Sequence, residues 1–161
     1  LGALAHFDFR KPLSYSYEQT YAIMRQLQLP YEDFEQLFRR IVFNICALNN
    51  DDHVKNISFL MGKDGIWKLS PAYDMTYAYN PAGKWTSQHQ LSLNGKRRDL
   101  KFDDILHCAS EAGISNSKAK HITEEIQNAV ADWKTFADSA GVADDKTKMI
   151  GNVLDEIILN I

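Results

Sequence analysis

Leu48-Asn49-Asn50-Asp51-Asp52-His53-Val54-Lys55-Asn56-Ile57-Ser58-Phe59-Leu60 leads, through Met61 and the turn Gly62-Lys63-Asp64-Gly65, into Ile66-Trp67-Lys68-Leu69-Ser70-Pro71-Ala72-Tyr73-Asp74. A polar, acidic stretch is thus followed by an apolar run, a turn, a second apolar run and one more Asp. Residues 57–61 and 66–69 have the length and the β-branched and aromatic content of short strands. The glycine-flanked turn between them predicts a hairpin with a four-residue loop. A hairpin folds the chain back, so it can bring Asp74 near Asp51 and Asn56.

The residues before this stretch predict the clearest helix in the chain. Phe34, Leu37, Phe38, Ile41, Val42, Ile45 and Leu48 recur at helical spacing and form one apolar stripe wide enough for a core helix. Pro30 fits its first turn, and Asn49-Asn50 suit its exit. A polar loop carried on the end of a buried helix is a natural seat for chemistry. Further upstream, Tyr17, Tyr21, Met24 and Leu27 predict a helix over 15–29, capped by Ser14 or Ser16. Residues 1–14 lack a helical period; Phe7 and Phe9 alternate with Asp8 and Arg10 before Pro12, which predicts an extended lead-in. Downstream, residues 80–99 are punctuated by Pro81, Gly83 and Gly95, with a short extended piece over 90–93.

Three further helices are expected. One covers 103–112 and stops at Gly113; one covers 117–140, with Ile122, Ile126, Val130, Trp133 and Phe136 as its stripe and Gly141 after it. The last covers 145–159, with Met149, Ile150, Val153, Leu154, Ile157 and Ile158 as its stripe. No internal repeat is present. The fold class expected is mainly α, with a small β-hairpin next to the acidic loop. Trp67, Trp85 and Trp133 read as packing residues.

Composition narrows the function. The 161 residues suit one domain, and 45% apolar with 24% charged residues is ordinary globular composition. A net charge of −3 gives no general attraction to nucleic acid or anionic lipid. No apolar run has the length of a membrane span, and the first residues lack the basic and apolar regions of a secretory signal. Cys46 and Cys108 both fall inside apolar helical patterns and read as buried, reduced thiols, so a cytoplasmic location is expected.

Phosphoryl transfer asks for a carboxylate that orients the attacking hydroxyl and takes its proton, and for oxygen ligands that hold Mg²⁺ on the nucleotide phosphates. In protein kinases the base and an amide lie five residues apart, as D-x-x-x-x-N, and the metal-binding Asp follows a hairpin. Asp51 and Asn56 have that spacing, and Asp74 follows the predicted hairpin. Asp51 is therefore the candidate base, with Asn56 and Asp74 as metal and cofactor ligands. Lys55 can place a point charge near a transferring phosphoryl group. His53 is expected to hydrogen-bond within the loop and fix its shape; Asp52 is less determined. Two plainer readings stand beside this one. Asp51-Asp52 suits a solvated turn at a helix end, and Asp51, Asp52 and His53 would suit Zn²⁺ or Mn²⁺ in a metal-dependent hydrolase. Lys96-Arg97-Arg98 reads either as a solvated basic run or as a contact for phosphate or an acidic partner.

The segments F-N-I-C-A-L-N-N-D-D-H-V-K-N-I-S-F-L, W-K-L-S-P-A-Y-D-M-T and H-Q-L-S-L-N-G-K-R-R-D-L resemble the C-terminal domain of HipA-family serine/threonine kinase toxins, over about residues 4–142. The resemblance implies a bacterial toxin–antitoxin component that uses ATP and Mg²⁺ to phosphorylate a protein target, in studied members an aminoacyl-tRNA synthetase. It implies as partner a helix-turn-helix antitoxin of the HipB type, through which any DNA contact would be indirect. Carried over by position, Asp51 matches the catalytic Asp, Asn56 the metal-binding Asn and Asp74 the second metal-binding Asp; His53 and Lys55 match motif positions. Asn49-Asn50 before the base, and Met75-Thr76 after the metal Asp, depart from eukaryotic-type kinases and suit this family. The family's glycine-rich phosphate loop and its ATP-binding lysine belong to an N-terminal lobe, and this sequence contains neither. The chain also lacks an initiator Met. It is expected to be the C-terminal lobe of a longer kinase or half of a split toxin, folding alone without catalysing. A non-catalytic pseudokinase module that docks an antitoxin or DNA-bound repressor is the alternative.

Overall fold

The computed structural model describes residues 1–8, 10, 11 and 13–161. Among them are six helices and four very short strands: β1 (Tyr15–Ser16), α1 (Tyr17–Gln26), α2 (Tyr31–Cys46), β2 (Phe59–Met61), β3 (Trp67–Leu69), β4 (Leu91–Ser92), α3 (Phe102–Glu111), α4 (Asn116–Ala131), α5 (Trp133–Ser139) and α6 (Asp144–Asn160). The fold is mainly α, as the periodicity predicts.

Helix α2 is the axis of the molecule. Its stripe residues Leu37, Phe38, Ile41, Val42 and Ile45 are buried, and the helix packs on α1, α3, α4, α6 and β3. Tyr21 and Met24 of α1, Ile105 and Cys108 of α3, and Ala119 and Ile122 of α4 close the core around it. Tyr21 stacks on Phe34 with ring centroids 5.8 Å apart. Burial pushes the thiols of Cys46 and Cys108 up to about 12, so both act as small apolar side chains.

Ser16 caps α1 and forms a capping box with Gln19, one of the two caps that the sequence suggests. Pro30 is the N-cap of α2, one position before the helix proper. The lead-in differs from expectation. Residues 1–8 are a series of turns, with bonds from the Ala5 amide to the Leu1 carbonyl (3.0 Å) and from Phe7 to Gly2 (2.8 Å). Phe7 stacks on Tyr15 with ring centroids 4.2 Å apart; Phe9 and Pro12 lie outside the described residues. Two extended residues do occur, in β1, and they pair in parallel with β4, Tyr15 opposite Leu91 and Ser16 opposite Ser92.

The long helix expected over 117–140 is two helices. Asp132, at φ −81° and ψ 17°, ends α4 and starts α5. The break lets Trp133 turn its indole onto α6, where Nε1 donates to the Thr147 carbonyl at 2.9 Å. Phe136 falls out of the stripe and is exposed, as is Met149 on α6.

The hairpin forms, with strands shorter than the 57–61 and 66–69 expected: Phe59 lies opposite Leu69 and Met61 opposite Trp67, and residues 62–66 connect them. Gly65 sits at φ 80°, where a side chain would strain the turn. Its inner end is fixed to α2: Leu69 N donates to Asp33 Oδ2 at 2.9 Å, and Arg40 Nη2 donates to the Ser70 carbonyl at 2.6 Å.

Candidate functional site

The acidic loop begins where α2 stops, earlier than Asn49-Asn50 would suggest. The helix ends at Cys46, and Leu48 takes a left-handed conformation with φ 50°. The Leu48 amide donates to the Ile45 carbonyl at 3.3 Å and the Asn49 amide to the Asn44 carbonyl at 2.9 Å. This paired pattern is a Schellman exit, which usually uses glycine. A leucine there carries strain of about 1–2 kcal/mol. Burial of its side chain, at 7% exposure, offsets that.

From this root the chain runs as a tightly bonded loop. The His53 amide donates to the Asp51 carbonyl (2.9 Å), and the Asn56 amide to the His53 carbonyl (2.9 Å). Asn56 Nδ2 also donates to the Asp51 carbonyl at 2.9 Å. That bond fixes which way the amide points. Its nitrogen is committed to the loop, and Oδ1 makes no hydrogen bond among the described residues. Asp51 is half-buried, and its carboxylate likewise makes neither a hydrogen bond nor an ion pair among them.

The segment beyond the hairpin returns along the same loop. Tyr73 donates its hydroxyl to the Lys55 carbonyl at 2.5 Å. Asn49 and Ala78 form a parallel bridge: the Ala78 amide donates to Leu48 (3.1 Å) and the Asn50 amide to Ala78 (3.3 Å). Between these ties lies Asp74, exposed, at φ 56°. Its carbonyl accepts from Asn49 Nδ2 at 3.3 Å, leaving the carboxylate outward. Aspartate is among the few residues that tolerate this backbone region. The segment that carries Asp74 is therefore tied to the loop that carries Asp51, Lys55 and Asn56 through Tyr73, Asn49 and Ala78. His53 is held in that loop by backbone bonds; its Nδ1 is buried without a partner, so the expected side-chain bond within the loop does not form.

Asp52 is the residue that the sequence left open. It is 2% exposed and accepts three hydrogen bonds: from Tyr17 Oη at 2.6 Å, from the Gln90 amide at 2.7 Å and at 3.0 Å from His89 Nδ1. Burial, with the Asp52 carboxylate beside it, holds the Tyr17 phenol well above its ordinary value, so Tyr17 stays a donor. Tyr17 Oη in turn accepts from Asn44 Nδ2 at 3.0 Å. Residue type alone carried no sign of this role. Two adjacent aspartates look alike in sequence, and only the paired element decides which one turns inward.

Behind the loop, Arg40, Asn49 and His53 line a cavity of about 20 Å³, room for one water molecule. Arg40 Nε, Asn49 Oδ1 and His53 Nδ1 are buried there without hydrogen-bond partners. Burial lowers the Arg40 guanidinium from its ordinary value, opposed by the Asp33 carboxylate and Tyr73.

The basic run divides in the same way. Lys96 Nζ pairs with the buried Asp104 at 2.9 Å. Arg97 donates to the carbonyls of Gln90, Leu13 (2.6 Å) and Tyr15 (3.2 Å), stapling β1 to β4. Only Arg98 is largely in solvent. Two of the three basic residues are thus structural.

The oxygen donors fit Mg²⁺. A neutral amide oxygen with its nitrogen tied back, and an outward carboxylate, are the hard ligands this ion takes together with phosphate oxygens. No group of three or more His, Cys, Asp or Glu among the described residues could hold a metal ion, so the geometry lends no support to a zinc- or manganese-type hydrolase centre.

The model of the HipA-like C-terminal domain matches residues 1–133 of this sequence. The chain belongs to the HipA-like C-terminal domain family. A curated relative, "Putative kinase Y4dM" of Sinorhizobium fredii (strain NBRC 101917 / NGR234), is 34% identical over 85 residues. Those residues are 52% of this chain and 20% of that protein, so the chain spans a small part of its relative's length. Helix α6 and most of α5 lie beyond the family match. No helix among the described residues is long and apolar enough to cross a membrane.

Proposed function

We propose that this HipA-like domain is the catalytic lobe of an ATP- and Mg²⁺-dependent serine/threonine protein kinase. The observation that carries the reading is the oriented Asn56 amide: its nitrogen is held by the Asp51 carbonyl at 2.9 Å, so the same bond fixes the candidate base and presents the candidate ligand oxygen. Asp51 accepts the proton of the attacking hydroxyl. Asn56 Oδ1 and the Asp74 carboxylate would hold the metal. Lys55 would supply a point charge to the transferring phosphoryl group. Bound Mg-ATP supplies the transferable γ-phosphoryl group and offsets its charge. His53 shapes the loop through its backbone.

The finer reading follows the family: a toxin of a toxin–antitoxin pair, restrained by a helix-turn-helix antitoxin of the HipB type and acting on a protein such as an aminoacyl-tRNA synthetase. Covering the nucleotide requires a glycine-rich lobe supplied from outside these residues. The test is Mg-ATP-dependent phosphoryl transfer by the complete gene product, with Asp51→Asn beside it. General-base catalysis contributes about 10²–10⁴-fold. Asp51→Asn should therefore lose at least a hundredfold while remaining folded, and Asp74→Ala should lose as much. The 161-residue chain alone should fold and transfer nothing. Equal activity in wild type and Asp51→Asn would overturn the assignment. Absence of transfer from the complete product, free of antitoxin, would favour a binding module.

A further inference from the structure

Asn44 and Tyr17 carry polar groups where the helical pattern asks for apolar ones. Asn44 lies on the buried side of α2 between Ile41 and Ile45, at 7% exposure; Tyr17 is at 2%. A leucine and a phenylalanine would fill those places without the desolvation penalty that buried amides and hydroxyls carry. Their polar atoms serve each other. Asn49 Nδ2 donates to Asn44 Oδ1 at 3.0 Å, Asn44 Nδ2 to Tyr17 Oη at 3.0 Å, and Tyr17 Oη to Asp52 Oδ2 at 2.6 Å. Every donor in the series points the same way, toward the carboxylate. At the other end, the second N–H of Asn49 donates to the Asp74 carbonyl at 3.3 Å.

We propose that Tyr17, Asn44 and Asn49 are positioning residues that set the Asp51–Asn56 loop in register with Asp74. This rests on the kinase reading for its consequence but not for its existence. The two halves of the candidate metal site are separated in sequence by the hairpin. The strands of that hairpin are three residues each, and its outer residues Leu60, Met61 and Ile66 are exposed. The ribbon is tied to α2 at Leu69 and Ser70, and Asp74 lies beyond that tie. The hydrogen-bonded series fixes Asp74 from the side of the loop: its links from Asn49 through Asn44 and Tyr17 to Asp52 are buried, and its last link, to the Asp74 carbonyl, is part-buried. Low local dielectric strengthens such a network when it is complete and makes a broken link expensive. Asn49 is the junction. Its side chain holds Asp74, and its neighbours Leu48 and Asn50 exchange backbone bonds with Ala78.

Two measurements test the proposal, and one does not depend on catalysis. In the 161-residue chain, amide hydrogen exchange is followed at Asn50 and Ala78, whose bonds join the two segments. Tyr17→Phe removes one hydroxyl and keeps the ring; Asn49→Asp removes both N–H donors at constant size. Each should speed exchange at these amides by about tenfold, the worth of one buried hydrogen bond, with amides of α4 unchanged. In the complete gene product, the same variants should raise the Mg²⁺ concentration for half-maximal transfer while leaving KM for the protein substrate unchanged. A merely structural role would lower the amount of active enzyme without moving its Mg²⁺ dependence. Unchanged exchange at Asn50 and Ala78 in both variants would overturn the proposal. If the complete wild-type product shows no transfer, the kinase reading fails, and the exchange result still decides the positioning role. Should Tyr17→Phe not fold, Asn49→Asp carries the test alone.

Discussion

Asp51 and Asp52 are neighbours of the same type, and the structure assigns them opposite fates under truncation. Asp52→Ala removes a carboxylate at 2% exposure that accepts from Tyr17, Gln90 and His89. The Gln90 amide and the Tyr17 hydroxyl are then left as buried donors, each costing about 1–3 kcal/mol, and the His89 ring loses its bond through Nδ1. Partial relaxation is available at Tyr17, whose oxygen still accepts from Asn44. The sum comes to about 3–5 kcal/mol, the range found when one partner of a buried charged contact is deleted. That is a large share of the ~5–15 kcal/mol by which a domain is stable. Asp51→Ala removes a half-buried carboxylate without bonds among the described residues and should stay within about 0.5 kcal/mol of wild type. Urea denaturation of the 161-residue chain reads the difference directly. With a slope of about 2 kcal/mol per molar for a chain of this size, Asp52→Ala should move the midpoint down by about 1.5–2.5 M at constant slope. Asp52→Asn keeps one acceptor oxygen and should fall between the two. Equal midpoints for Asp51→Ala and Asp52→Ala would refute the reasoning, because the argument depends on burial and bonding and not on residue type.

Other outcomes follow from the same geometry. Cys46 and Cys108 hold pKa values near 12, so at pH 8 the thiolate fraction is about 10⁻⁴ and a disulfide reagent should label neither until the chain is unfolded. Asp104 is buried, which by itself raises its carboxyl, but bonds from Lys96, the Lys101 amide and Asn94 outweigh this and hold it below the ordinary carboxylate value. Its contribution is thus fully present above the unfolded pKa of about 3.9 and is lost as pH falls through the lower folded value; the stability gap between wild type and Asp104→Asn should shrink over that acid range in urea titrations at stepped pH. The cavity behind the loop should hold one ordered water in a high-resolution crystal structure, bonded to at least two of Arg40, Asn49 and His53. Density without that water would show that the three atoms find partners by side-chain movement.

The elements that the sequence announced are those fixed by local pattern. The α2 stripe, the hairpin and the glycine exits at Gly113 and Gly141 follow from periodicity and from the one residue that takes φ near +70° freely. Where the local rule was broken, reading failed. The exits of α1 and α2 use Gln28 at φ 56° and Leu48 at φ 50°, in places where glycine would have marked the end. Nothing at Asp132 distinguishes it from a residue inside a continuing helix; the break serves the contact of Trp133 with α6, which is tertiary. The D-x-x-x-x-N spacing marked Asp51 and Asn56 as a pair, and in the structure Asn56 Nδ2 bonds the Asp51 carbonyl. The inward turn of Asp52 was not legible, because its partners lie 35 and 37 residues away, on α1 and beside β4.

That inward turn explains why an acidic pair suits this loop better than a single Asp. A loop whose candidate base and ligand face solvent has few apolar contacts of its own and would sample many conformations. Burying the next carboxylate in sequence, with three donors from two different elements, removes that freedom at the peptide bond adjoining the base. Outward groups then need no bonds of their own to stay in place, and their oxygens remain available. The arrangement also sets a limit on substitution: a change that makes Asp52 unable to accept should disturb Asp51 without touching it, whereas a change at Asp51 should leave the anchor intact. Catalytic loss with normal stability at Asp51, and coupled loss of both at Asp52, is the pattern this division of roles requires.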